Sequence, residues 1–156
     1  MTLTLPALPI PWTAGKVFSV GTVGRPEQAG DTTLVQVSRL ELARRRDVPG
    51  FLVAALRIRR HALRTPGCVG LALRAQPFRR TFWTLSAWDD QAAIGAFMRS
   101  DGHRAVMVAY RGRMAGSHFH TWTAGEAGRR PSWTDARRRY DESLNDPPPR
   151  AAVSGH

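Results

Sequence analysis

The sequence predicts an α+β fold in which a four-stranded antiparallel sheet buries one face under helices, in the order strand, helix, strand, strand, helix, strand. Three stretches predict it. Thr33 to Leu42 (TLVQVSRLEL) alternates, with Leu34, Gln36, Ser38 and Leu40 on one side and Val35, Val37, Arg39 and Glu41 on the other. After Pro49 the apolar residues Phe51, Leu52, Ala55, Leu56, Ala62 and Leu63 make a helical stripe opposite Arg57, Arg60, His61 and Arg64. At Trp88 the period switches from that of a strand to that of a helix.

Residues 1 to 15 are Pro-rich and read as an extended arm with Trp12 as a possible anchor. Lys16 to Val23 alternates well enough for a short edge strand, followed by the turn-rich GRPEQAGDT. The strand at 33–42 leads through ARRRDV to the basic amphipathic helix, for which Asp47 is a candidate cap and Pro49 a first-turn residue. Thr65, Pro66 and Gly67 stop that helix, and Cys68 to Ala75 is the second core strand before a turn at Gln76 and Pro77. In the third strand Phe82, Thr84, Ser86 and Trp88 point one way, and Trp83, Leu85 and Ala87 the other. Asp89 and Asp90 then precede Ile94, Phe97 and Met98 at helical spacing, where a helix dipole favours carboxylates. Ser100 and Asp101 offer a second cap, and His103, Met107, Tyr110 and Met114 form one stripe of the next helix, closed by Gly116. Ser117 to Thr123 is the fourth strand, with His118, His120 and Trp122 facing one way. Past Gly125 comes a linker, a short helix in SWTDARRRYDESL capped by Ser132, and an aperiodic tail expected to be disordered.

The expected organisation is therefore an arm over 1–32, one α+β domain over 33–125, and a linker, helix and tail over 126–156. With 42% hydrophobic and 22% charged residues the composition is that of an ordinary globular protein. The Pro-broken N-terminus lacks a basic n-region, and no run approaches the roughly 20 apolar residues of a transmembrane helix, so a cytoplasmic protein without a membrane span is expected. Cys68 is the only cysteine, which excludes an intrachain disulfide and CxxC chemistry. A net charge of +11 brings nucleic acid into consideration. Yet Lys16 is the sole lysine among 23 Lys and Arg residues, a bias that genome base composition explains equally well. The third strand also lacks the glycine and spacing of an RNA-recognition signature, and no P-loop, GxGxxG, GxSxG or HExxH pattern occurs. Nucleic acid is therefore the weakest of the partners considered.

An aromatic-rich strand, then W-D-D, a helix with A-x-x-A-F and S-x-x-H-R-x-x-M, and a strand with F-x-x-W together resemble the dimeric α+β barrel superfamily. The antibiotic biosynthesis monooxygenase-like and haem-degrading monooxygenase-like families are the nearest within it. The likeness spans about Thr33 to Thr123. It implies a ferredoxin-like domain, paired sheet to sheet with a second copy into a barrel, and a small apolar or aromatic ligand between sheet and helices. It also implies monooxygenase-like chemistry, either cofactor-free or with haem held by a histidine. His103 matches the family's helix histidine, and Trp83 and Trp88 match aromatic positions on or after the third strand. The complete Asn, Trp and His set of haem-degrading members is absent, so the cofactor is either none or haem.

His103 on an apolar stripe reads as a base or haem ligand beside a cavity, or else as a structural histidine bonded to backbone. Tyr110 on the same stripe reads as an orienting hydroxyl or a core residue, and Trp83, Trp88, Phe97 and Met107 as the walls of a pocket for a flat substrate. His118 and His120, two apart on a strand, have a spacing that presents two nitrogens to a metal, but no carboxylate or cysteine lies nearby and no metal site is assigned. Two other function classes stay open: a noncatalytic dimeric binding module of the same fold, and a basic nucleic-acid-binding domain.

Overall fold

Alternating β-branched and aromatic runs separated by two amphipathic stretches leave the chain few ways to bury its apolar faces, and it takes the expected one. The structure, a computed structural model, describes residues 7–15, 32–125 and 130–146. The expected strand at Lys16–Val23, the turn after it and the tail beyond residue 146 lie outside the described residues. The elements in order are β1 (Leu8–Ala14), β2 (Thr33–Leu42), α1 (Val48–Ala62), β3 (Cys68–Gln76) and β4 (Thr81–Trp88), then α2 (Gln91–Arg99), α3 (Asp101–Tyr110), β5 (Met114–Ala124) and α4 (Trp133–Asn145). Strands β3, β4, β2 and β5 lie side by side in that order, all antiparallel, which is the ferredoxin-like arrangement.

The sheet has a fifth strand that the sequence reading leaves as an extended arm. β1 pairs antiparallel with the outer edge of β3, from Leu8 opposite Ala75 to Ala14 opposite Gly70. Pro9 and Pro11 are tolerated there because an edge strand has one row of backbone groups without a ladder partner. A register shift between Ile10 and Thr13 brings Trp12 down onto β3, where Gly70 leaves room for it: a Cβ on Gly70 would overlap the indole ring. Gly70→Val is therefore expected to lift Trp12 off the sheet at a cost of about 1–3 kcal/mol. A melting curve checks this; an unchanged midpoint would show that β1 is not held by that contact.

Helix starts follow the cap residues with one exception. Asp90 accepts a hydrogen bond from the Ala93 N–H at 2.8 Å, Ser100 from the His103 N–H at 3.5 Å, and Ser132 from the Asp135 N–H at 3.1 Å. Asp47, the expected cap of α1, makes no capping bond and pairs instead with Arg113 at 3.3 Å. The stripe expected to continue to Met114 also ends early. Helix α3 stops at Tyr110, residues Arg111–Arg113 make a single 3-10 turn, and Met114 opens β5 because it already pairs with Leu42 of β2.

The two faces of the sheet are covered differently. On one, Leu71, Leu73 and Trp88 meet Ala62, Leu63, Ile94 and Phe97, while Ala75 and Phe82 meet Val48 and Phe51, so α1, α2 and the end of α3 roof this side. On the other, Val35, Val37, Trp83, Leu85 and Ala87 are closed over by Ala136 and Tyr140 of α4. Trp83 retains 5% of its exposure, with Tyr140 edge-on at 4.8 Å and the Arg137 guanidinium 4.2 Å above its ring. The face that the sequence reading leaves to a second copy is thus occupied by this chain's own C-terminal helix.

Candidate active site

Between the sheet and the roof of α1 and α3 lies a cavity of about 120 Å3. Its floor comes from the alternation of β2 and β4: Gln36 stands opposite Ser86 and Ser38 opposite Thr84, placing four polar side chains in two adjacent rungs under a helical roof. A strand face covered by helices is normally apolar, so a polar strip there makes this cavity the candidate site. Part of the strip is bonded within the protein. The indole N–H of Trp88 donates to the Ser86 hydroxyl at 3.0 Å, and the Gln36 amide donates to Thr121 at 3.4 Å.

The roof is aromatic and aliphatic. Phe51 packs edge-on against Phe82 at 4.7 Å and against Tyr110 at 5.0 Å, with Ala55, Ile58, Val106 and Met107 completing it. Gly50 lets the Tyr110 hydroxyl pass, since a Cβ there would stand 2.9 Å from it. At one end Phe97 stacks on Trp88 at 5.2 Å, and the His103 ring meets Phe97 edge-on at 5.0 Å.

His103 is positioned by the start of α3, where its own N–H is bound to the capping Ser100, whose hydroxyl also lies 2.9 Å from His61 Nε2. Its Nδ1 is buried and makes no hydrogen bond of good geometry, although the Met98 backbone lies close enough to favour the protonated ring. Burial is the main cause holding the imidazole below its ordinary pKa of 6.5; a hydrogen bond of the protonated ring to the Met98 backbone opposes the shift, and the neighbouring His61 reinforces it. His103 is consequently neutral at pH 7 and free to accept a proton. The unfolded chain binds that proton more readily than the folded one, so stability is full above about 6.5 and is lost as pH falls through the depressed folded value. Urea midpoints measured from pH 7.5 downward are expected to fall more steeply for the native chain than for His103→Gln. Parallel curves would remove this assignment.

Of the residues singled out in the sequence, His103, Tyr110, Met107, Phe97 and Trp88 converge on the cavity. Trp83 does not present its ring there: successive strand side chains alternate, and its indole belongs with Tyr140 on the α4 face, so only its strand segment borders the floor. His118 and His120 are on that α4 face as well. His118 lies 3.1 Å from the Ser143 hydroxyl, His120 stacks on Trp122, and no cluster of three metal-binding side chains occurs among the described residues. Cys68 is buried, with burial pushing its thiol up to about 11, so it is inert. The aromatic platform that a nucleic-acid-binding sheet requires is covered, since Trp83 lies under α4. No helix among the described residues is long and apolar enough to cross a membrane.

Solved structures share this architecture. SnoaB, a cofactor-independent oxygenase from Streptomyces nogalater solved as a mutant, superposes with a TM-score of 0.51 at 20% identity, over 61% of this chain and 95% of that one. A Deinococcus radiodurans protein assigned as an antibiotic biosynthesis monooxygenase does so with a TM-score of 0.54 at 14% identity, over 60% and 94%. A Lactobacillus acidophilus protein assigned as a monooxygenase matches with a TM-score of 0.53 at 11% identity over 62% of this chain, which spans only 49% of that longer protein. At these identities the likeness establishes the fold. No protein of curated function matches the sequence significantly. The sequence does match a family model, that of the antibiotic biosynthesis monooxygenases, over residues 34–109.

Proposed function

We propose that the chain is a monooxygenase of small aromatic substrates that works without a cofactor, with His103 as the base. The observation that carries this reading is the buried Nδ1 of His103 on the wall of a partly open, mostly apolar cavity. A neutral imidazole there can take a proton from a phenol or from an activated ring CH2. The electron-rich anion that results reacts directly with molecular oxygen, and oxidation of CH2 to a carbonyl releases the second oxygen atom as water. Tyr110, edge-on to Phe51, walls the cavity with its ring, its hydroxyl lying beside Gly50 of α1. Trp88, Phe97 and Met107 shape the space around the ring and exclude water.

Haem does not fit this cavity. A volume near 120 Å3 is comparable to engineered cavities of about 150 Å3 that hold a benzene ring, and a porphyrin is several times larger. The part of the substrate held inside is accordingly about one ring, and a second fused ring would extend through the cavity's open side. A cytoplasmic setting suits the lone buried thiol, which needs no oxidised partner. Sheet-to-sheet pairing of two copies requires α4 to leave its seat, so the arrangement with α4 docked is proposed to act as a monomer. Oxygen uptake in an electrode chamber with one-ring phenols, naphthols and tetralone-like compounds that carry an activated ring CH2 tests the assignment. Uptake with CH2 converted to carbonyl, or with a phenol converted to a quinone that carries one more oxygen and two fewer hydrogens, is the expected result, the second oxygen atom leaving as water in both; binding without uptake across the series would reduce the chain to a binding module.

A further inference from the structure

We infer that the molecule held in the cavity is an organic anion, an aryl carboxylate, and that Arg59 reads its charge. This rests on the cavity being the ligand site.

Arg59 projects from α1 where two spaces meet. It borders the internal cavity, and it also borders an outer groove formed with Thr13, Arg60 and Arg64. Neither space has an Asp or Glu in its lining. The carboxylates that pair with arginines elsewhere are committed: Glu41 to Arg39, Asp47 to Arg113, and Asp135 to Arg138 and Arg139. No carboxylate among the described residues reaches Arg59, Arg60 or Arg64 by an ion pair. Arg74, also at the cavity, has its guanidinium over Trp133, 4.8 Å from the ring, on the α4 side.

Arg59 is also held in place. One terminal nitrogen donates to the Thr13 hydroxyl of β1, while its Nε is buried with no acceptor. A buried N–H of a cation without an acceptor is costly, and side chains left in that state mark a place where another molecule supplies the oxygen. The cavity accepts a flat apolar ring, and a carboxylate on that ring would reach the mouth where Arg59 waits. The added strand β1 acquires a role here: Thr13 fixes the rotamer of the residue that selects the ligand.

The test is an isothermal titration of the full chain with 2-naphthoate and with its neutral isostere 2-naphthamide. The expected result is at least tenfold tighter binding of the carboxylate, a margin that shrinks as salt is raised. Arg59→Met should erase the margin while leaving the amide within about twofold, and Arg59→Lys should restore part of it. Arg60→Gln should change either ligand by less than about threefold. Equal binding of the two ligands, or a margin that survives Arg59→Met in a variant with native circular dichroism, overturns the inference and leaves the cavity reading intact. If neither ligand binds, the cavity is not a ligand site and both readings fall together.

Discussion

His103→Ala should lower the turnover of any oxygenated substrate by a factor of about 10²–10⁴, the usual contribution of a positioned general base. The effect should fall on kcat, because the ring sits at one end of the cavity against Phe97 while the polar floor of Gln36, Ser38, Thr84 and Ser86 stays in place to bind. Two further readouts separate a base from a structural histidine. Activity in the native chain should drop with acidity at a midpoint below 6.5, because burial holds the imidazole down and only its neutral form accepts a proton. Tyr110→Phe, which keeps the edge-on packing on Phe51 and removes only the hydroxyl, should cost far less than the loss of His103. Turnover within a few fold of native in His103→Ala, with oxygen still consumed, would end the assignment of the base.

Ending the chain at Gly125 should convert it into a self-associating protein. That truncation removes Ala136 and Tyr140 and uncovers Val35, Val37, Trp83, Leu85 and Ala87 on one contiguous face. Soluble monomers seldom leave so much apolar area to water, and a second copy of the same face is the nearest cover. Light scattering is expected to report a monomer for the full chain and a dimer or larger species for the truncated one. Tyr140→Ala is the milder form of the same experiment. It deletes a ring that is edge-on to Trp83 and to His118, and should cost about 3–5 kcal/mol by analogy with buried aromatic deletions. A truncated chain that stays monomeric and stable would mean that α4 is incidental to the sheet.

Trp83 and Trp88 show where reading a sequence succeeds and where it slips. Both were natural candidates for the wall of a ligand pocket, yet five positions apart on one strand they must face opposite sides, and only Trp88 reaches the cavity. The polar floor was not read from the sequence. Gln36 and Ser38, like Thr84 and Ser86, interrupt the strand faces that point under the helices, and only their pairing across β2 and β4 shows them to be one strip. Arg59 gave no local signal, because it looks like any arginine on a basic helix until β1 is placed beside it.

Local pattern determined the strand and helix order, the caps at Asp90, Ser100 and Ser132, and the placing of His103 and Tyr110 on one stripe, since each depends on residues a few positions apart. Only the tertiary structure decided that β1 extends the sheet, that α4 closes its far face, and that a His103 nitrogen is buried in the cavity wall. Those outcomes turn on groups tens of residues apart competing for the same surface, and periodicity along the chain carries no record of which one arrives.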